Sequence, residues 1–377
     1  MQVLRLKSAH ASELVFCWAG VPACFANALR RTIVSNIKTA VLLEPTFTSN
    51  TSFFHNEILI ERLKCVPVHK LDPSGCTLRV SEKNADTAIM AVTTEHFKVY
   101  DKDDKEVDGV FPPTVVYVNG KQHKTYIEFA RLKPATAANA GEELAFTCKF
   151  GQATAAECGA YAVASTCAYK HSVDAEGKDK EDSFDFLLES VGVIKPHDLV
   201  LLAADVILAQ LERLGTELGD PVASDTTMEN CYDLMFDHDD KDPLCDFTVG
   251  MMLRAQVYAL TKDQAKCYVA FYKNHPHDPY FILRLVAEDP LTVVRAAITA
   301  LKTQFLEFKD LFHPKTLRPE LLKVFNTFSA LPLHEKRERT LAMNEAEGSP
   351  YVAAEIGDYD NDGLDKVVLN FLRLKNV

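Results

Sequence analysis

Two stretches far apart in the chain carry the same pattern of apolar and polar positions. In the first, Val21, Phe25, Leu29, Ile33 and Ile37 recur at every fourth position, which draws one apolar stripe along a helix. Arg30, Arg31 and Asn36 fall off that stripe. In the second, residues 246–255 (DFTVGMMLRA) open a helix predicted over 249–260, with Val249, Leu253, Val257 and Leu260 as its stripe and Thr248 as its cap. Under one constant offset Phe25 falls on Val249, Leu29 on Leu253 and Arg30 on Arg254. A chain with two versions of one packing helix can pair them with each other. The pattern therefore predicts an internal pseudo-dimer, and pairing surfaces point to assembly more readily than to chemistry.

Around these stripes the pattern alternates between the two periods. Residues 1–20 read as two strands, and Pro22 suits a first helical turn. Residues 50–68 (NTSFFHNEILIERLKCVPV) predict a helix that Thr51 or Ser52 caps and Pro67 ends. From 71 to 170 short β-rich runs such as AIMAVTT, TVVYVNG and LAFTCKF lie between Gly, Pro, Asn and Asp, predicting an inserted, mostly antiparallel β domain. A charged loop is expected over 174–182, then a strand over 183–190 and a helix from Pro196 to about Gly215. The last third repeats the order. NCYDLMF, KCYVAFYKN and YFILRLVAE read as strands, and a long helix after Pro290 carries Val294, Ile298, Leu301, Phe305, Phe308 and Phe312. The fold class expected is α+β. Two modules, 1–70 with 171–214 and 229–312, are joined by an acidic linker at 215–228; the insert spans 71–170, and 313–377 form a C-terminal extension.

Composition narrows the function. The chain of 377 residues is 47% hydrophobic and 25% charged, as soluble globular proteins are, and has room for two or three domains. No run approaches a membrane span, and the N-terminal residues lack a secretory pattern. Ten scattered cysteines without a CxxC read as reduced intracellular thiols. A net charge of -12 argues against nucleic acid as the main ligand. Acid gathers from Glu217 to Asp246, where a solvated connector is the plain explanation.

Candidate chemistry is thin. There is no Gly-rich phosphate loop, HExxH or GxSxG. His275 and His277 share a turn without further metal ligands nearby, and Cys148, Cys158 and Cys167 read as packing residues. Asp358, Asp360, Asp362 and Gly363 match the first half of a calcium loop, but its twelfth position is Leu369 where a bidentate Glu is needed. A calcium-regulated interaction protein is the alternative of a different class that this turn keeps open.

The motifs together resemble the assembly subunits of cellular RNA polymerases: bacterial alpha, archaeal D and L, and the third and eleventh subunits of nuclear polymerase II. Residues 27–40 (NALRRTIVSNIKTA) look like the family's first dimerisation helix. Residues 50–68 look like its second signature, with Asn50, Thr51, His55, Glu57, Arg62, Leu63 and Pro67 on the pattern. Lys64 stands where Gly is usual and Ile60 where Ala is usual. LAFTCKF, YAVASTCAYK and FDFLLESVGVIKPHDLV follow in third-subunit order, and DFTVGMMLRA, AFYKNHPHDPYFILRL and the helix after Pro290 resemble the eleventh subunit.

The resemblance implies a fusion of two normally separate subunits, as in large DNA viruses of eukaryotes, acting as a non-catalytic platform. Its internal interface would hold Phe25, Leu29, Ile33, Val249, Leu253, Val257, Ile298, Leu301 and Phe305. Arg30, Arg31, Asn50, Thr51, Glu57 and Arg62 would dock large subunits. The implied partners are the largest and second-largest polymerase subunits, with small tenth- or twelfth-type subunits beside them, and neither strong nucleic-acid binding nor a membrane. A scaffold of a polymerase I or III type enzyme is the alternative within the class. Nuclear third subunits carry a zinc-binding cysteine cluster after the second signature; here residues 66–78 hold only Cys76, so no metal and no cofactor are expected. The expected location is intracellular; a viral origin leaves open the host cytoplasm with its viral factories, the virion and the nucleus.

Overall fold

The structure is a computed structural model that describes residues 2–5, 12–118, 121–136, 140–174, 176–237, 245–264 and 266–312, together with 331, 334–336 and 338. It is a mixed α/β chain, and every strand pairing among the described residues is antiparallel. The described residues divide into two compact units, one from 1–37 with 164–377 and one from 38–163.

In the first unit, β1 (Gln2–Arg5) and β2 (Glu13–Ala19) lead into helix α1 (Ala23–Ser35). Alternation along β2 puts Leu14, Phe16 and Trp18 on one buried face. Pro22 sits just before α1 at its N-cap, and no side chain caps this end.

The second unit opens with β3 (Thr39–Asn50), then α2 (Asn56–Lys64), β4 (Thr77–Lys83), β5 (Met90–Thr93) and β6 (Lys98–Tyr100). It continues with β7 (Thr114–Val118), β8 (Lys121–Thr125), β9 (Glu128–Leu132) and β10 (Glu143–Ala153). Its main sheet has the order β3-β10-β4-β6, and β5-β9 and β7-β8 are separate two-stranded ribbons. Thr51 and Ser52 do not cap α2. The N-cap residue is His55, and Ser52 instead donates both its N–H and its hydroxyl to Asn50 Oδ1, at 3.1 and 2.7 Å. The compact division at 37/38 and 163/164 differs from the expected one at 70/71 and 170/171. The physical reason is that Leu42 of β3 and Leu59 and Leu63 of α2 share one core with Leu78, Phe129 and Phe146.

The chain returns to the first unit with β11 (Ala164–Val173), β12 (Asp179–Ser190) and α3 (Pro196–Thr216). The strand β12 begins inside the stretch expected to be loop, because Asp179 pairs with Val173 across the hairpin. These strands complete a sheet of order β1-β2-β12-β11. Then come β13 (Val222–Ala223), β14 (Cys231–Asp237), α4 (Phe247–Thr261), β15 (Val269–Tyr272), β16 (Tyr280–Val286) and α5 (Pro290–Phe312), with a second sheet of order β13-β14-β16-β15. Asp233 and Arg284 face each other across β14 and β16, joined by two 2.7 Å hydrogen bonds that hold the guanidinium further above its usual range.

Asp246, not Thr248, caps α4, its carboxylate accepting from the N–H groups of Thr248 and Val249 at 2.9 and 3.0 Å. The α4 stripe ends on Thr261 and not on Leu260, which is 47% exposed. A strict four-residue step from Val257 lands on Thr261, and its hydroxyl is satisfied by donating to the Val257 carbonyl at 2.9 Å. Gly250 has a packing role the pattern did not reveal. A Cβ there would lie 2.1 Å from the Phe271 ring, and that ring is stacked on Phe281 at 5.3 Å. Gly250→Ala gains about 1 kcal/mol of helix propensity but overpacks this contact at about 1–3 kcal/mol. The expected result is a net loss of up to about 2 kcal/mol by urea denaturation; a stabilised variant would show that α4 can lift off β15.

The run LRPELLKVFNTF (317–328), whose pattern reads as a helix, lies outside the described residues, as do the calcium-like turn, most of the C-terminal extension, and Asp239, Asp240 and Asp242 of the acidic stretch. Among the described residues, no helix is long and apolar enough to cross a membrane.

Candidate assembly core and docking surface

Among the described residues the first unit is built around four helices. Helix α1 packs on α3 and α4, and α5 packs on α3 and α4 in turn. Each stripe predicted from the sequence points into this packing. Phe25, Leu29 and Ile33 of α1 are buried, as are Val249, Leu253 and Val257 of α4 and Ile298, Leu301 and Phe305 of α5. Phe25 and Phe305 lie face to face with ring centroids 5.7 Å apart and planes 4° apart. Side chains from opposite ends of the described chain thus meet in one core.

Trp18 is the residue that sequence reasoning missed. It is fully buried on β2 and touches three rings: Phe25 at 6.4 Å, Phe305 at 6.2 Å and Phe308 at 4.3 Å. Its neighbour on the same strand face, Phe16, stacks on Phe186 at 4.7 Å and meets Phe312 edge-on at 5.2 Å. The signal was the alternation of ELVFCWA, which sets Phe16 and Trp18 on one face. Trp18 Nε1 is buried and has no hydrogen-bond acceptor among the described residues, a state that costs on the order of 1–3 kcal/mol.

Polar contacts fix the helix pairs at the rim. Arg31 Nε donates to Thr248 Oγ1 at 3.0 Å, tying α1 to the first turn of α4. Lys302 pairs with Glu212 and Lys309 with Asp205, tying α5 to α3. These pairs are largely solvated and contribute little to stability. Their value is in choosing one alignment of the helices.

The expected docking residues fall in different units. Arg30 and Arg31 lie on α1, and Arg30 donates to Asn27 Oδ1 through Nε and Nη2 at 3.2 and 2.9 Å. Asn50, Thr51, Glu57 and Arg62 lie in the second unit, and Asn50, Thr51 and Arg62 make internal hydrogen bonds around the β3–α2 loop. Asn50 Nδ2 donates to the Phe54 carbonyl at 2.9 Å and to Asn56 Oδ1 at 2.7 Å. Thr51 exchanges hydrogen bonds with the backbone of Glu143, donating its N–H at 3.0 Å and accepting the Glu143 N–H at 2.8 Å. Arg62 donates to the carbonyls of Phe129 and Glu128 at 2.9 and 2.8 Å, bracing α2 against β9, and covers the Phe54 ring at 5.5 Å. Glu57 is exposed in the first turn of α2.

The thiols behave as packing groups. All ten cysteines are free. Burial pushes the Cys148 and Cys167 thiols up to about 12 and raises Cys245 well above its ordinary range. Among the described residues no group of three or more His, Cys, Asp or Glu is placed to hold a metal ion. In the His275–His277 turn, His275 Nδ1 accepts the His277 N–H at 3.2 Å. The raised thiols give a signed pH dependence. Unfolded thiols ionise near pH 9, while Cys148 and Cys167 keep their protons to about 12 in the folded chain. Their stabilisation is therefore fully present below pH 9 and is lost as pH rises toward 12, at about 1.4 kcal/mol per pH unit for each thiol. Urea midpoints across pH 9–11 measure it, and a chain carrying Cys148→Ala and Cys167→Ala is expected to lose that part of the slope.

A core made by helices that pair, with a polar rim that sets their alignment, is the arrangement of a dimerisation-type fold. The chain belongs to the RNA polymerase Rpb3/Rpb11 dimerisation domain family, which residues 15–211, more than half of its length, match. Its relatives carry polymerase names. It is 36% identical over 80 residues to the DNA-directed RNA polymerases I and III subunit rpac1 of Dictyostelium discoideum, covering 21% of this chain and 23% of that one. It is 30% identical over 138 residues to the DNA-directed RNA polymerase subunit Rpo3 of Thermococcus kodakarensis, covering 35% and 53%. Against Rpo3 of Pyrococcus horikoshii it is 34% identical over 68 residues, covering 18% and 26%. The chain thus spans between about a quarter and about half of the length of these relatives.

Proposed function

We propose that this chain is the assembly scaffold of a multisubunit DNA-directed RNA polymerase, in which a third-type and an eleventh-type subunit are fused into an internal heterodimer. The observation that carries the reading is the aromatic core shared by Trp18, Phe25, Phe305 and Phe308. It joins the family-matched stretch, residues 15–211, to the helix that closes the second strand–helix–strand–helix series. Fusion makes this pairing intramolecular, at an effective concentration on the order of millimolar. In this reading the third-type part of the chain docks the second-largest polymerase subunit through Arg30, Arg31 and Arg62. The module of residues 229–312 docks the largest, and tenth- or twelfth-type small subunits sit beside them. Residues 313–377 act as an added partner surface. The chain itself contributes no catalytic group, binds no cofactor and works inside the cell; its fused form fits a large DNA virus of eukaryotes.

Affinity purification of the tagged full-length chain from its native cells tests the proposal through subunit identity and stoichiometry. Two large polymerase subunits at one copy each, without a separate eleventh-type subunit, are expected. Recovery of the chain alone would end the polymerase role. Arg30→Glu is expected to leave the melting temperature nearly unchanged and to reduce recovery of the second-largest subunit; undiminished recovery would remove Arg30 from docking. The likeness to a subunit named for polymerases I and III favours a second reading, a scaffold of that enzyme type. The identity of the recovered large subunits separates the two.

A further inference from the structure

Helices α3 and α5 meet along a seam whose charges are ordered. Asp205 and Glu212 stand seven residues apart on α3, and Lys302 and Lys309 stand seven apart on α5. Seven residues make two turns, so each pair keeps to one face of its helix. Lys302 is joined to Glu212 and Lys309 to Asp205, so the helices run antiparallel in one register. A slip of one turn would break both pairs together. The lysine side chains are 28% exposed and thus partly withdrawn from water, where an unpaired charge is costly; the carboxylates, at 53% and 66%, are more open.

The set is one-sided. Within it all the acid lies on α3 and all the base on α5. Two α3 helices laid together in the same sense would bring four carboxylates to one seam, and two α5 helices four ammonium groups, with no counter-charge from these positions. Arg213, also on α3, sits against Glu217 at 3.0 Å. The seam of α1 with α4 lacks this one-sidedness. There an arginine of each helix lies near the first turn of the other, Arg31 at Thr248 and Arg254 near Cys24. The apolar stripes of α1 and α4 also match position for position, so that seam suits like and unlike halves equally.

We propose that Asp205, Glu212, Lys302 and Lys309 form a partner-selecting charge code. Helix α3 takes an α5 and refuses a second α3, so unlike halves of the chain pair and like halves of two copies do not. This rests on the internal pairing proposed above. The apolar stripes supply the adhesion and the charges supply the choice, since specificity is a difference between affinities and a like-charge seam penalises the wrong partner. A tenfold preference needs only about 1.4 kcal/mol, and heptad-spaced charges that flank an apolar seam set partner choice in the same way in coiled coils.

The test uses full-length chains with their charges exchanged. Lys302→Glu with Lys309→Glu makes the seam acidic on both helices, and Asp205→Lys with Glu212→Lys makes it basic on both. Each double variant is expected to have a lower urea midpoint than wild type, and the chain with all four changes to regain it. The two double variants, differently labelled, are then unfolded, mixed and refolded together. Each helix now finds its opposite charge only on the other chain. Mixed dimers on size exclusion should therefore exceed those from two labelled wild-type chains by about tenfold or more. Raising ionic strength from about 0.1 to 1 M, which cuts the Debye length from about 10 to 3 Å, should erase most of that excess.

Double variants that keep the wild-type midpoint overturn the code. So does a quadruple variant that fails to regain what they lose, because the charges would then act on their surroundings and not on each other. Mixed dimers no more abundant than in wild type, or an excess indifferent to salt, overturn it as well. None of these results touches the polymerase role, which stands or falls on the large subunits recovered with the chain.

Discussion

Phe305→Ala is expected to cost the first unit about 3–5 kcal/mol, a large share of the roughly 5–15 kcal/mol that holds a folded domain. Phe305 is fully buried, stacked on Phe25 at 5.7 Å and edge-on to Trp18 at 6.2 Å. Its ring neighbours are held by separate elements: Phe25 by α1 and Trp18 by β2. Neither of these can shift into the vacated space without moving its own backbone, so the cavity stays largely open and the cost falls toward the upper end of the range. The chain has one tryptophan, and it lies against this site. Urea unfolding followed by Trp18 fluorescence therefore reads the affected unit directly. Trp18→Phe makes the contrast. It deletes ring volume but also deletes a buried N–H that has no acceptor among the described residues, so its loss is expected to be smaller than that of Phe305→Ala. A Phe305→Ala loss below 1 kcal/mol would mean that α5 does not share a core with α1.

What the sequence made legible was the periodic part. The stripes of α1, α4 and α5 were visible because a buried helix face repeats at fixed spacing, and each named interface residue is buried. Helix ends were less legible. Thr51, Ser52 and Thr248 each have a capping hydroxyl, but a cap depends on where the backbone leaves the extended region, and here Asn50 and Asp246 hold those turns. The strand β8 was missed because KQHKT has neither apolar alternation nor β-branched richness, and its pairing with β7 is what makes it a strand. The compact division at residue 38 was hidden for a related reason. The alternating burial of β3 does not say which sheet it joins, and only pairing with β10 places it in the second unit. The docking residues show the limit most clearly. Asn50, Thr51 and Arg62 fall on a recognisable motif, and in the structure all three also make internal hydrogen bonds, so the motif marks a built loop as much as a surface.

Leu29→Ala and Leu253→Ala are each expected to cost about 2–5 kcal/mol, and the two together less than their sum. Both side chains are fully buried, on helices that pack directly on each other. They also occupy equivalent positions in the two related stripes. If α1 and α4 line one continuous core, the first truncation lets the second site relax, and the double-mutant cycle shows a coupling of about 0.5–3 kcal/mol. If each helix buries its stripe independently, the losses add to within about 0.5 kcal/mol. Only the first result makes the two halves of the chain thermodynamically one body. The same cycle predicts behaviour on cutting the chain between α3 and β14. With a shared core, the two fragments should re-associate and recover the Trp18 emission of the intact protein, more weakly once the linker no longer holds them at high effective concentration. Leu29→Ala or Leu253→Ala should then abolish re-association at micromolar concentration, because a loss of 2–5 kcal/mol weakens binding by roughly 30- to 5,000-fold. Fragments that fold separately and never associate would show that the two stripes pack within their own halves.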